Sequence, residues 1–507
     1  MDSQNYLYNT AGQRTSETNT AGDYRNYSYD NDGEIKTAAG KESGGASRLQ
    51  EQFGYAYDAA GNLNFKTNNA LIQTFSVNDL NELTADTNSG TLTVAGTTTI
   101  PATSVTVDGL TANRYADATF ALGGFTPTNG LNAYTAIGED ASGNWSTNTS
   151  TVNVILTNSA YAYDSNGNMT CDGYKNFAYD DENELTAVWV SDAWSNSFAY
   201  DGKMRRRIER DYSWDAGTSG WQETNEVHFI YDGNVVVEER NAGNVPQVSY
   251  TRGNDLSGTM QGAGGIGGLL ARTTHGQELP GAPPPAFYHA DGNGNITALI
   301  YPNQQLAAKY LYDPFGSTLA MSGPLMNLNK YRFSSKEWCD NSGLYYYLYR
   351  FYDPCLQRWP NRDPMGEPGW TILHNQRFSA SDGSLNTKIW HIRDFLMQHG
   401  LDPLRLTHLD LLGDGSDKYN FVMNDPLLYV DSDGRRCIWA VLGCASLMIA
   451  TPVTCSPVDA GSLCWANLVG DIGACGDAAD ECDPCYSSSP GPHRPTRRRY
   501  GSNQWAD

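Results

Sequence analysis

Along most of the chain, apolar and polar positions alternate in short runs, and many of the apolar positions are aromatic. One unit recurs: an aromatic residue, a second residue, a tyrosine, an Asp (Asn in the first copy), and a turn followed by a hydrophobic residue. The copies are YLYNTAGQR from Tyr6, YSYDNDGEI from Tyr27, YAYDAAGNL from Tyr55, YAYDSNGNM from Tyr161, FAYDDENEL from Phe177, FAYDGKMRR from Phe198, FIYDGNVVV from Phe229 and YLYDPFGST from Tyr310. Alternation places both rings on one face of a strand. Asp or Asn opens a turn by bonding its own backbone, and the Gly present in most copies accepts positive φ. Each unit therefore predicts a β-hairpin. The second tyrosines are unevenly spaced: 21 residues from Tyr8 to Tyr29, 28 from Tyr29 to Tyr57, 16 from Tyr163 to Tyr179. A single hairpin is marginal in water, so these have to lie side by side. The expected fold is all-β, a long coiling sheet of consecutive hairpins over 1–85 and 158–326.

Between those stretches, 86–157 nearly lacks tyrosine and is rich in threonine (TLTVAG, SVTVDG, DATFALGG, STVNVIL). Short alternating strands split by Gly and Asp turns suit an immunoglobulin-like β-sandwich. Its acids Asp108, Asp117, Glu139 and Asp140 are of a type that calcium uses, although loop acids are ordinarily just solvated.

Composition changes this picture in two ways. Thirty-one tyrosines and 51 glycines favour strands and turns over helices. The formal charge of −23 excludes sequence-independent nucleic-acid binding, which needs basic surface, and reads as a solvated acidic exterior. The N-terminus, MDSQNYLYNTAGQ, has neither a basic nor an apolar signal-peptide region and begins inside a repeat. The expectation is an N-terminally truncated fragment of something longer, or export without a cleaved signal. Gly262, Gly264 and Gly267 satisfy G-x-G-x-x-G, but the Pro-rich sequence that follows cannot supply the helix of a dinucleotide site. That segment is expected to be a flexible turn, and no cofactor is expected.

The aromatic hairpin units together resemble the RHS, or YD, repeat of bacterial polymorphic toxins and of teneurins. A more specific resemblance follows. The block NLNKYRFSSKEWCDNSGLYYYLYRFYDPCLQRWPNRDPMGEPG, from Asn327, is similar to the RHS repeat-associated core domain, and DKYNFVMNDPLLYVDSDGR, from Asp417, is similar to that family's closing motif. The resemblance implies a sheet that spirals into a hollow shell, here a partial one, with the core-associated domain at 327–435. It implies a variable C-terminal segment, 436–507, carried as cargo. It further implies an aspartic self-protease that cuts one residue after the final glycine, here between Arg435 and Arg436, to release 72 residues. Such chemistry needs two carboxyls beside one peptide bond, one ionised to activate water and one protonated to polarise the carbonyl. Asp363 is the candidate for one, with Arg362 to orient it or steady the oxyanion, and Asp431 or Asp433 is the candidate partner.

Two features depart from the family pattern. Arg435 stands where relatives have an apolar residue that would fix the register of the cut. A stretch of about 47 residues, 370–416, separates DPMGEPG from DKYNF, where relatives have only a few. This insert is expected to hold a helix in NTKIWHIRDFLMQHG, whose histidines lack the spacing of a helical zinc site.

The tail opens with 22 uncharged residues, 437–458, long enough to contact or span a membrane, and holds seven cysteines that suit a small disulfide-stapled domain or a decayed remnant. Taken together, the sequence suggests a carrier that encloses or presents a C-terminal effector in bacterial competition, in the cell envelope or outside the cell, with a secretion apparatus or an immunity protein among its partners. The alternatives are a non-catalytic adhesion protein that binds glycans or other cell-surface components, and a decayed toxin cassette.

Overall fold

The computed structural model describes residues 3–98, 102–154, 156, 160–275, 285–363, 418–435 and the backbone of 438–440. All of these fall in one compact unit, Met1–Gly443. The helix expected within 370–416 and the tail beyond 440 lie outside the described residues.

Among the described residues the protein is almost wholly antiparallel β, with two short 3-10 turns, Phe333–Ser335 and Val422–Asn424. Eight strands, from Gln4–Tyr8 to Leu83–Gly90, form one sheet in strict chain order, and fourteen, from Ala162–Tyr163 to Thr318–Ser322, form a second. Chain order throughout means that every strand pairs with the one before and the one after it, as consecutive hairpins must.

The turns have the local chemistry their sequences dictate. Asp58 Oδ1 accepts the N–H of Ala60 (2.8 Å) and Asn62 (2.9 Å), and Gly61 takes φ +82°. Asp164, Asp291 and Asp313 accept their own turn N–H groups in the same way. A second, non-local device joins one hairpin to the next. The hydroxyl of the second tyrosine donates to the carbonyl of the residue that opens the preceding return strand. Tyr29 reaches Arg14 (2.8 Å), Tyr200 reaches Leu185 (2.6 Å), Tyr231 reaches Arg206 (2.8 Å) and Tyr312 reaches Ile296 (2.8 Å). The Tyr312 bond is buried, so Tyr312→Phe strands a carbonyl without a donor. It is expected to lower unfolding free energy by about 1–2 kcal/mol, read as a lowered urea midpoint.

Residues 92–154 form two further sheets. One holds Leu110–Thr111, Ala102–Val107, Gly130–Asp140 and Trp145–Val154 in that order; the other holds Asn113–Arg114, Thr119–Phe125 and Leu92–Thr97. They share a core of Val105, Val107, Ala112 and Phe120. The repeat wall resumes across this interruption. The N–H of Leu83 donates to the Tyr163 hydroxyl (3.0 Å), and the Tyr161 hydroxyl donates to Asp86 (3.2 Å). Phe75 and Leu83, before the interruption, share a buried cluster with Met169 and Phe177, after it.

The block after Ser322 packs its aromatics onto the repeat tyrosines. Ring centroids lie 6.1 Å apart for Tyr312 and Phe333, 4.8 Å for Tyr250 and Tyr331, 4.9 Å for Phe198 and Phe351, and 5.9 Å for Tyr163 and Tyr419. Tyr347, Tyr352, Trp359 and Phe421 form its buried centre, with Tyr352 and Phe421 stacked at 3.9 Å. The closing segment, 418–435, is tied to turns in both repeat sheets. The Tyr419 hydroxyl donates to the Gly167 carbonyl (2.7 Å), Asn424 Nδ2 to the Gly61 carbonyl (2.7 Å), and Asn293 Nδ2 to the carbonyls of Pro426 (3.0 Å) and Leu427 (2.9 Å).

Candidate active site at the closing turn

The last described strands form a hairpin. Tyr429–Asp431 pairs antiparallel with Ile438–Ala440, Asp431 opposite Ile438. The expected handover after Arg435 thus falls inside a hairpin turn, with the chain re-pairing within three residues of it. The turn is shaped by Asp431, whose Oδ1 accepts the N–H groups of Asp433 (3.1 Å), Gly434 (2.7 Å) and Arg435 (3.3 Å). Gly434 takes φ +84° to complete it.

Asp363 and Asp431, 68 residues apart in sequence, meet at one guanidinium nitrogen. Arg350 Nη2 lies 3.0 Å from Asp363 Oδ2 and 3.7 Å from Asp431 Oδ2. Arg350 also donates through Nε to the Gly434 carbonyl and through Nη1 to the Lys418 carbonyl (3.3 Å), and its Cζ lies 4.1 Å from the centroid of the Trp359 ring. All three side chains are about 1–3% exposed. Burial pushes the Asp431 carboxyl up to about 6, against the pull of Arg350 and with the repulsion of Asp433 and Asp363. Two carboxyls around one cation, one of them raised toward neutrality, can hold a single proton between them, the state that general acid–base chemistry on a peptide needs.

The structure divides the expected residues. It brings Asp363 and Asp431 together. Arg362, which the sequence suggested would orient Asp363, turns to the Tyr419 hydroxyl (Nε, 3.2 Å) and to Glu82 (Nη2, 3.4 Å), above Gly167, where a β-carbon would overlap its guanidinium. The cation between the two carboxyls is Arg350. Adjacency in sequence to Asp363 therefore did not bring the Arg362 guanidinium to it. Asp433 accepts from Arg435 Nε at 3.0 Å. Of the candidate scissile pair, Arg435 is described and Arg436 lies outside the described residues.

Sequence reading missed two further contributors. Lys336 is buried and donates to the carbonyls of Ser432 (2.5 Å) and Gly264 (3.0 Å). Burial pushes its ammonium down to about 8, against the pull of Asp433 and Asp431. Gly264 belongs to the Gly-rich segment, which forms a turn leading into the wall strand Leu269–Thr274. Asp255 Oδ2 accepts the N–H of Ala263 (2.8 Å) and Gly265 (3.0 Å) within it, Ile266 is fully buried, and the segment forms the floor of the closing turn. Gly264 takes φ +61°, and a β-carbon there would overlap the Ser432 carbonyl. Gly264→Ala is therefore expected to cost about 2 kcal/mol or more and to slow any chemistry at the turn. Gly258→Ala, with similar φ but open space around it, should cost only about 1 kcal/mol. Urea midpoints of the two variants make the comparison. Arg350 had a signal: it is the one cation in the run YYYLYRFYD, and a cation buried among aromatics requires a carboxylate.

The acids Asp108, Asp117, Glu139 and Asp140 do not converge. Asp117, for instance, is held by Arg48 (2.6 Å), and among the described residues no group of three or more His, Cys, Asp or Glu could hold a metal ion. Among those residues no helix is long and apolar enough to cross a membrane.

No family model matches the chain. Over 286 residues, 55% of its length, the chain is 28% identical to the tRNA3(Ser)-specific nuclease WapA of Bacillus spizizenii, and 27% identical to the tRNA nuclease WapA of Bacillus subtilis. In both cases the match spans 9% of the relative's length. It is also 36% identical over 87 residues to the uncharacterized protein YibJ of Escherichia coli, covering 17% of this chain and 37% of that one. Among solved structures, the crystal structure of TcdB2-TccC3-Cdc42 is similar with a TM-score of 0.38 at 16% identity, covering 86% of this chain and 19% of that one.

Proposed function

We propose that the chain is a carrier module of the RHS type whose closing block cuts its own backbone once, between Arg435 and Arg436, and so frees the 72 residues that follow. The observation that carries this reading is the convergence of Asp363 and Asp431 on Arg350 beside a turn whose backbone is fixed by Asp431 itself. Arg350 lies closer to Asp363, which holds the negative charge and activates water. Asp431, raised toward neutrality by burial, keeps the proton and polarises the carbonyl. The similarity to the WapA tRNA nucleases supports placing the chain, in general terms, among toxin-related proteins of the RHS type.

The test is a denaturing gel with intact masses on the purified full chain. Two products, the smaller beginning at Arg436, support the reading. A single species of full mass after long incubation between pH 4 and 8 overturns it.

A further inference from the structure

We propose that Arg435 sets the register of the cut, and that it does so by seating its guanidinium between the ring of Tyr349 and the carboxylate of Asp433. This rests on the self-cutting reading above and adds a specificity element to it. The sequence raised the difficulty that an arginine stands where an apolar side chain would fill a pocket. The structure supplies a seat of the matching chemistry. The Arg435 side chain is 11% exposed, its Cζ lies 4.1 Å from the Tyr349 ring centroid, and both Nε (3.0 Å) and Nη2 donate to Asp433 Oδ2. The seat is itself fixed, because the N–H of Tyr349 donates to the carbonyl of Asp433 (3.1 Å). Ring and carboxylate therefore arrive on backbones already bonded to each other, and Tyr349 adjoins Arg350, the cation of the carboxyl pair.

A guanidinium suits this seat better than an ammonium does. It is planar, lies flat on a ring face, and presents two donors in its own plane to one carboxylate. Slippage by one residue backwards would offer the seat Gly434, which has no side chain. Slippage forwards would offer it Arg436. The seat thus distinguishes the intended bond from the first but not, by charge alone, from the second. The distinction between Arg435 and Arg436 falls to Asp431, which holds the N–H of Arg435 at 3.3 Å.

The test reads the mass of the released piece as well as the rate. A residue that only supports the fold changes how fast the piece appears, whereas a register element changes where it begins. Tyr349→Leu is expected to slow release roughly tenfold and to yield pieces that begin at more than one residue. Tyr349→Phe, which keeps the ring, should restore the single product, and Arg435→Lys should fall between. Slowed release with one product from Tyr349→Leu, or no restoration by Tyr349→Phe, overturns the proposal. Should the wild-type chain stay whole, the self-cutting reading fails, and the seat is then decided by trypsin. Slow digestion after Arg435 that becomes roughly tenfold faster in Tyr349→Leu supports the seat, and equal rates in the two proteins overturn it.

Discussion

Asp363→Asn is expected to leave the chain in one piece, with release of the C-terminal segment reduced by about 10³-fold or more. Asn keeps the size and planarity of the side chain but can neither carry the negative charge nor accept a proton from water. In the structure Asp363 is 1% exposed and lies 3.0 Å from Arg350 Nη2, nearer than Asp431 at 3.7 Å. Asp431→Asn should block release equally while keeping the turn, because its side-chain oxygen can still accept the three backbone N–H groups that Asp431 Oδ1 accepts. Loss of release in a chain whose turn is intact separates the chemical role of Asp431 from its structural one. The pH profile of the wild type supports the same assignment. Asp431 is raised to about 6 by burial, and the reaction uses the form that keeps one proton in the pair. Release should fall as pH rises past about 6 and the second proton leaves. It should fall again at low pH, when both carboxyls are protonated, giving a bell whose limbs belong to the pair rather than to either residue. A rate that rises steadily to pH 9 would sink the assignment.

Arg350→Ala should be the most destabilising substitution in the closing block, at about 3–5 kcal/mol near neutral pH. Arg350 is 1% exposed and serves both carboxyls and the carbonyls of Gly434 and Lys418. Removing it takes the nearest counter-charge from two buried carboxyls and the Arg350 donors from the carbonyls of Gly434 and Lys418, of which Lys418 keeps the N–H of Asp363 (3.2 Å). The sign of the pH dependence then follows by linkage. Without Arg350, which pulls it down, the folded-state pKa of Asp431 moves further above its unfolded value. The protonated pair fits the folded state, so the deficit is smallest below the unfolded carboxylate range and grows as pH rises through the raised value. Urea unfolding at pH 5 and pH 8 should show a smaller loss at pH 5. Adding Asp363→Asn to Arg350→Met should recover part of the stability, since an apolar side chain beside a neutral amide is less costly than an orphaned charge. An Arg350→Ala chain as stable as wild type at pH 8 would contradict the buried pairing.

Sequence and structure contributed different parts of this account. The hairpins were legible because their causes are local: aromatic alternation chooses the strand, and an Asx turn with a positive-φ glycine chooses the bend, all within about nine residues. That is why Asp58, Asp164, Asp291 and Asp313 form the turns their sequences announce. The tyrosine hydroxyl bonds were not legible. Their acceptors are backbone carbonyls 15 to 25 residues upstream, and a carbonyl carries no residue signature. Nor was the bridging of Leu83 to Tyr163 across the inserted sheets, which depends on where two distant strands come to lie.

At the site, the resemblance to the core domain and its closing motif pointed to Asp363 and left Asp431 or Asp433 open as its partner, because two carboxyls near a cut are what the implied chemistry requires. Tertiary structure chose their cation. Sequence proximity favoured Arg362, and the fold delivered Arg350 from 13 positions upstream, Lys336 from beneath the turn, and Gly264 from a loop that looked like a separate motif. The amino-acid sequence by itself determined that the chain would build a wall of aromatic hairpins, for reasons that act within one turn of chain. Only the packed structure decided which charges would share the low-dielectric space behind the closing turn, because a buried cation is placed by what surrounds it and not by what precedes it in sequence.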